Sequence, residues 1–263
     1  MPASDQASTS LPAFGSSNHR LRAIVVIPTY NERENIEPLL EALLGLPLTN
    51  LSVLVVDDAS PAGTGDVVRR HAVSDPRVTL LSRPRKEGLG GAYTAAFNLL
   101  LGTESGHKER ERERPEALVQ MDADFSHDPG DVPRLLAGLF QADLVVGSRY
   151  VQGGHTKNWG LERTLLSRSA NRAARLITHV PLRDLTGGFN AWRTSLLASI
   201  RPDTIRAEGY GYLVELKVRA ARAHARVLET PITFTERRLG ASKLSKRVIW
   251  EAMGVVFRLR ARR

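Results

Sequence analysis

The chain has 263 residues, 42% of them hydrophobic, which is enough for one large domain or two small ones with a sizeable core. It has no cysteine, which excludes disulfides, thiolate metal sites and cysteine nucleophiles. The net charge is +9, and the excess sits at one end: Arg237 to Arg263 holds nine basic residues against the single acid Glu251. Such a tail points to an anionic partner.

Residues 1–20 are rich in Ser, Ala and Pro and lack the apolar stretch of a signal peptide, so a disordered lead-in is expected there. Ala23–Ile27 is an apolar run stopped by Pro28, the pattern of a strand buried on both faces. Glu34–Leu44 spaces Ile36, Leu39, Leu40, Leu43 and Leu44 as a helix does. Leu51–Val56 reads as a second strand, closing on Asp57 and Asp58. Thr64–Val73 reads as a helix with Thr64 as its N-cap. Val78–Leu81 is a third strand, and Gly90–Leu101 a helix entered through Gly88, Gly90 and Gly91. The dense charge run Glu104–Arg114, closed by Pro115, is expected on a solvated surface.

Ala117–Gln120 rises as a fourth strand into Met121-Asp122-Ala123-Asp124-Phe125. A helix is expected near Asp131–Phe140 and a fifth strand over Asp143–Gly147. Leu161–Thr178 is a basic helix carrying Arg163, Arg168, Arg172 and Arg175. Thr186-Gly187-Gly188-Phe189 makes a glycine turn ahead of another segment, and Tyr210–Ala223 a helix. Val227–Phe234 reads as a strand interrupted by Pro231, hence at an edge. From Leu244 to Leu259 apolar residues alternate with Arg or Lys at helical spacing. That pattern fits a helix lying on a membrane and a helix packed on the sheet equally well. No run approaches the roughly 18 apolar residues of a membrane span, so the chain is expected to be soluble or peripheral.

Apolar strands alternating with amphipathic helices predict a mostly parallel sheet covered on both faces. Ligands bind such sheets at the carboxyl ends of the strands. Polar residues cluster there: Thr29-Tyr30-Asn31-Glu32, Asp57-Asp58, Asp122 with Asp124, and Ser148-Arg149. Alone, an Asp-x-Asp reads as turn chemistry. In a continuing strand, Asp122 and Asp124 would project from one face, repel each other and call for a cation between them. Hard divalent ions accept such oxygens together with substrate phosphates. The P-loop, the dinucleotide fingerprint, the serine nucleophile elbow and a spaced zinc histidine pair are all missing from the sequence. His127, beside the acidic pair, reads as a structural neighbour. What remains is an acidic metal site facing basic residues, a design that serves glycosyl transfer from a nucleotide sugar.

Five segments in order carry a resemblance: Ile27-Pro28-Thr29-Tyr30-Asn31-Glu32, Val55-Val56-Asp57-Asp58, Met121-Asp122-Ala123-Asp124, Gly147-Ser148-Arg149-Tyr150, and Arg237-x-x-Gly240-x-Ser242-Lys243. Together they resemble the family-2 glycosyltransferases of GT-A fold, specifically the polyprenol- or dolichol-phosphate mannosyltransferases, over roughly Leu21 to Trp250. The resemblance implies a single GT-A domain over 21–243, with a basic amphipathic helix over 244–263. It implies a GDP-mannose donor, a polyprenyl phosphate acceptor, an Mg²⁺ or Mn²⁺ ion and inversion to a β-linked mannosyl phosphate. Pro28, Tyr30, Glu32, Val56 and Asp58 would border the nucleotide. Asp122 and Ala123 would touch the donor, and Asp124 would bind the metal with Asp122 near it. Ser126 stands where the family often has a Gln metal ligand, and its shorter hydroxyl is a weaker one. Arg149, Arg163 and Ser167 match acceptor-phosphate positions, while Arg237 and Lys243 match the segment that closes over the donor phosphates. The acceptor phosphate is already an anion, so no protein general base is expected.

The long lipid acceptor implies a protein peripheral on the cytoplasmic face, its tail near anionic headgroups and a separate membrane-anchoring protein as a possible partner. Rival readings are a related transferase using UDP-glucose, a sugar-nucleotide-binding protein without turnover, and a basic nucleic-acid-binding module. The tail lacks the interleaved aromatics of the last, so no nucleic-acid partner is expected. Asp184 and Glu215 either line the site or pair with nearby Arg.

Overall fold

The computed structural model describes residues 21–102, 115–236 and 254–259. The expectations for residues 1–20, for Glu104–Arg114, for Arg237 and Lys243, and for most of the basic tail lie outside the described residues.

The expected strands form in order: β1 (Ala23–Thr29), β2 (Leu51–Asp57), β3 (Val78–Ser82), β4 (Ala117–Gln120) and β5 (Leu144–Ser148). Between them run α1 (Arg33–Leu44), α2 (Thr64–Ser74), α3 (Gly88–Leu101) and the short α4 (Val132–Gly138). After β5 come β6 (His155–Lys157), α5 (Leu161–Thr178), β7 (Asn190–Arg193), α6 (Thr194–Ser199), α7 (Gly209–Arg222), β8 (Val227–Pro231) and β9 (Thr233–Thr235). One seven-stranded sheet has the order β3-β2-β1-β4-β7-β5-β8, and β6 pairs with β9 in a small second sheet. β7 runs antiparallel to both neighbours, while the other pairings in the large sheet are parallel. The architecture is therefore the mostly parallel α/β sheet that the alternation predicts.

Side chains alternate across the strands, so each strand feeds two cores. Val26, Leu54, Val56, Leu118, Val146 and Trp192 pack on one face beneath residues of α3, α5, α6 and α7. Val25, Ile27, Val53, Val55, Val119 and Ala191 pack on the other, beneath α1, α2 and α4. Residues 254–259 are helical and send Val255, Val256 and Leu259 into the first core. For this stretch the packed-helix alternative describes the structure, although Phe257 stays exposed.

Three local expectations need correction. Thr64 is the first residue of α2, not its cap; Gly63 caps it at φ +78°, a left-handed conformation glycine takes without strain. The Thr64 hydroxyl instead accepts the Glu32 N–H at 3.0 Å, steadying the start of α1. The Val227–Phe234 strand splits at Ile232: β8 is an edge strand of the large sheet, and β9 turns away to pair with β6. Finally, β4 stops at Gln120, so Asp122 and Asp124 lie on a bent segment and not on a continuing strand. Phe125 takes φ +58° there, which re-aims the chain just after the acidic pair.

Candidate active site

The carboxyl ends of β1, β2, β4 and β5 open on one cavity of about 330 Å³. Pro28, Tyr30, Glu32, Asp58, Asp122, Ala123, Asp124, Arg149, Arg163 and Ser167 all line it, so ten sequence-predicted residues meet at one place. Two do not. Val56 is fully buried in the core below the rim, where its carbonyl accepts from the Thr29 hydroxyl at 3.3 Å. Ser126 is buried outside the lining, and its Oγ finds no hydrogen-bond partner.

At the β2 end, the two aspartates divide their work. Asp57 accepts from the Thr29 hydroxyl and from the Ser60 N–H, tying β1 to the loop after β2. Asp58 accepts from Arg83 at 2.6 Å through one oxygen, and from the Glu87 and Gly88 N–H groups through the other. A carboxylate at those amides also complements the positive start of α3. The Lys86 ammonium lies 3.7 Å from the Tyr30 ring centroid, a cation on an aromatic face inside the cavity.

At the β4 end, Asp124 is buried and accepts from the Ser126 N–H at 3.1 Å, which fixes its carboxylate. The Asp122 side chain is 36% exposed. Its backbone N–H donates to His127 Nδ1 at 3.1 Å. His127 is packed against Phe189 and Phe234, and burial pushes its imidazole below the ordinary value. A neutral ring accepting that N–H is a structural neighbour, so its 3.8 Å approach to the Asp122 carboxylate is not an ion pair. Asp122 and Asp124 offer hard oxygen ligands, and among the described residues no group of three His, Asp or Glu completes a protein cage. That donor set fits a Mg²⁺-like ion that takes its remaining ligands from phosphate and water.

At the β5 end, Arg149 is 5% exposed and grips Asp184 with two bonds of 2.7 Å. Asp184 also accepts from the Arg149 and Gly187 N–H groups, and Arg149 donates to the Thr186 hydroxyl. Burial alone would raise the Asp184 carboxyl, but the Arg149 charge and hydrogen bonds hold it below the usual range. Burial likewise opposes the Arg149 charge, and Asp184 overrides it, holding the guanidinium above its ordinary value. Thus Asp184 pairs with an Arg, as Glu215 does with Arg219 at 2.6 Å. Tyr150 Oη and Ser167 Oγ are 2.6 Å apart, joining this end to α5. Arg163, on the first turn of α5, pairs with Glu236.

Sequence reasoning left the role of Asp184 open between two alternatives, and it missed Trp159, Phe234 and the fully buried Lys217. Lys217 donates to the Leu185 and Gly187 carbonyls beneath the glycine turn. A lysine set between Leu216 and Val218 in α7 was the signal available for it.

A family model described as glycosyl transferase family 2 matches residues 24–201. The chain belongs to glycosyl transferase family 2. It is 44% identical over 233 residues to an undecaprenyl-phosphate mannosyltransferase of Micrococcus luteus, covering 89% of this chain and 91% of that one. It is 43% identical over 234 residues to a polyprenol monophosphomannose synthase of Mycolicibacterium smegmatis, covering 88% and 84%. A dolichol-phosphate mannosyltransferase of Pyrococcus furiosus is 32% identical over 246 residues, 91% of this chain and 64% of that one. Among solved structures, glucosyl-3-phosphoglycerate synthase of Mycobacterium tuberculosis with Mg²⁺ and UDP aligns at a TM-score of 0.66 and 18% identity. That alignment covers 95% of this chain and 85% of the other, a likeness of fold. The family-2 chain is thus a single GT-A domain with a mostly parallel sheet, a glycosyltransferase by family.

Proposed function

We propose that this family-2 transferase moves a mannosyl group from GDP-mannose to the phosphate of a polyprenyl monophosphate, with inversion at the sugar carbon. One observation carries the reading: a single cavity changes character from strand to strand. On the β1, β2 and β4 side it presents Asp58, Asp122 and Asp124. On the β5 side it presents Arg149, with Arg163 from α5. Between α5, α7 and residues 254–259 it is lined by Ala170, Ala174, Leu213, Val214 and Val256. Nucleotide sugar, anionic phosphate and isoprenoid chain each find matching chemistry in that sequence of surfaces. The relatives named for polyprenyl-phosphate mannosyl transfer support it over nearly their full length.

An oxygen of the acceptor phosphate attacks C1, the C1–O bond to GDP breaks, and its electron pair leaves on the diphosphate. No proton moves, since the nucleophile is already an anion, and so no general base is required. Asp124, with Asp122 beside it, would hold a Mg²⁺ or Mn²⁺ ion that supplies positive charge to the leaving diphosphate. Tyr30, Glu32 and Asp58 orient the nucleotide, and Arg149 and Arg163 orient the acceptor phosphate. By resemblance, Arg237 and Lys243 complete the charge set on the donor.

The outer face of α5 supports a membrane-surface partner. Leu161, Leu165 and Leu176 are 83%, 62% and 64% exposed, and Arg168, Arg172 and Arg175 lie exposed among them. Each leucine buried in a bilayer contributes about 1.5–3 kcal/mol, and each Arg near anionic headgroups about 1 kcal/mol. Among the described residues no helix is long and apolar enough to cross a membrane.

The test incubates purified protein with a short polyprenyl phosphate, Mn²⁺ and radiolabelled GDP-mannose or UDP-glucose in parallel. Label entering the lipid phase from GDP-mannose is expected. Label from UDP-glucose alone moves the donor assignment, and label from neither removes the transferase reading.

A further inference from the structure

On the α5 side of the cavity, two buried N–H donors have nothing to receive them. Trp159, in the loop between β6 and α5, lines the cavity, and its Nε1 is buried without a hydrogen-bond partner. Arg163, one helical turn on, lines the same cavity, and its Nε is equally buried and without a partner. The two groups are in contact: the guanidinium carbon of Arg163 lies 4.0 Å from the indole centroid. The indole also meets the edge of Phe234 at 5.3 Å, and Arg149 approaches it at 5.6 Å.

A buried donor left unpaired carries a substantial desolvation penalty, and such groups in a folded protein call for an explanation. Here the explanation is a ligand oxygen. Two guanidinium groups, Arg149 and Arg163, lie against the indole, and a carboxylate is already held there, since Glu236 sits on the terminal nitrogen of Arg163. Nitrogen donors, positive charge and an anion held by the protein itself mark an oxyanion position.

We propose that Trp159 is an acceptor-binding residue, its indole N–H and the Arg163 Nε–H together donating to non-bridging oxygens of the lipid phosphate. The inference rests on the polyprenyl phosphate reading given above and deepens it. A phosphate arriving on Arg163 takes over the place that Glu236 holds. The chemistry also favours an indole over a third arginine. A neutral donor orients a phosphate oxygen without adding charge that would quench its attack on the sugar.

The experiment compares wild type with Trp159→Phe, which keeps an aromatic ring against Arg163 and Phe234 and removes the N–H. The KM for a short polyprenyl phosphate is expected to rise about tenfold, equivalent to about 1.4 kcal/mol. The kcat should change less than threefold, and the KM for GDP-mannose should stay the same. A merely structural Trp159 would move kcat and both KM values together, and that result overturns the proposal. An acceptor KM unchanged in Trp159→Phe overturns it too, while leaving the transferase reading intact. If wild type transfers no sugar, the transferase reading fails alone and direct binding decides. Quenching of Trp159 fluorescence by farnesyl phosphate, referenced to Trp159→Phe, supports the proposal, and no quenching overturns it. Should Trp159→Phe fold poorly by circular dichroism, 3-benzothienylalanine at position 159 lacks only the N–H. The same acceptor-specific rise in KM is expected from it, and a wild-type KM refutes the assignment.

Discussion

Replacing Asp184 tests whether the electrostatics of the site hold the fold as well as the substrate. Asp184 is fully buried and Arg149 nearly so, and the pair shares two side-chain bonds of 2.7 Å. Asp184→Ala leaves a buried guanidinium without its counter-charge and strips the acceptor from the Arg149 and Gly187 N–H groups. Removing one partner of a buried pair costs about 3–5 kcal/mol, more than the pair itself contributes, because the other charge stays desolvated. For a domain of this size that is a fall of about 10 °C in Tm. Differential scanning calorimetry of wild type and Asp184→Ala measures it. Transfer should fall about 10- to 100-fold as Arg149 loses its fixed pose. The sign with pH follows from the depressed Asp184 carboxyl. A carboxyl lowered in the folded state stabilises it above the unfolded value of 3.8, and that share is lost as pH drops through the folded value. Asp184→Asn should therefore be less stable at neutral pH and lose less stability on acidification. A wild-type melting temperature in Asp184→Ala refutes the reasoning outright.

Further outcomes are expected elsewhere in the molecule. Asp124→Ala should lower transfer at least 100-fold with an unchanged melting temperature, and retained activity would remove it from the metal site. Ser126→Ala should leave the Mn²⁺ dependence of transfer unchanged within twofold, because its hydroxyl lies outside the cavity lining; a large rise in the Mn²⁺ requirement would restore it as a ligand. Burial pushes the Lys217 ammonium down to about 7 from 10.5, against the pull of the Asp184 and Glu229 charges. Between those values the unfolded chain binds more protons than the native one, so Lys217 makes stability rise with pH across that window. Urea midpoints at several pH values should show the rise shrink in Lys217→Met, and an unchanged slope assigns it to other groups. Leu161→Glu combined with Leu165→Glu should weaken sedimentation with anionic liposomes about tenfold or more; equal binding would place the membrane contact elsewhere.

Much of this was legible in the sequence for a simple reason. β1, β2, β4 and β5 are continuous apolar runs ended by polar residues, and a parallel sheet puts all four ends on one rim. Hence eight of the ten site residues that meet at the cavity lie at or just beyond strand ends, while Arg163 and Ser167, on α5, were named by the resemblance. What was hidden depends on partners distant in the chain. The Arg149–Asp184 pair spans 35 residues, so the sequence left open whether Asp184 lines the site or pairs, and with which Arg. β7 is four residues starting with Asn, too short for a periodicity. Its place beside β4 is marked by Asn190 and Trp192 both donating to the buried Gln120 oxygen. Thr64 carried a true local signal, a hydroxyl at a helix start, but tertiary structure spends it on Glu32. The end of β4 at Gln120 broke the simple i, i+2 argument for Asp122 and Asp124, though both still line the cavity.

The antiparallel β7 holds the Asp122–Asp124 side of the cavity apart from the Arg149 side. It separates β4, which delivers Asp122 and Asp124, from β5, which delivers Arg149. Two strand spacings set those ends about 9–10 Å apart, room for a diphosphate and a sugar between them. The chain reaches β7 through Gly187 and Gly188, at the same rim. A Cβ on Gly188 would lie 3.6 Å from the Asp122 carboxylate, and one on Gly187 would lie 3.2 Å from Asp184. Side chains at those positions would crowd the gap from below. Lys217 fixes the turn from the core side by binding the Leu185 and Gly187 carbonyls. Asp184 fixes it from the other end by accepting the Gly187 N–H. One buried lysine, one buried aspartate and two glycines thus shape the turn between the Asp122–Asp124 side of the cavity and the Arg149 side. A transfer that needs no proton relay has this as its main structural requirement: two phosphates of like charge held close, each with its own counter-charges, and the sugar carbon between them.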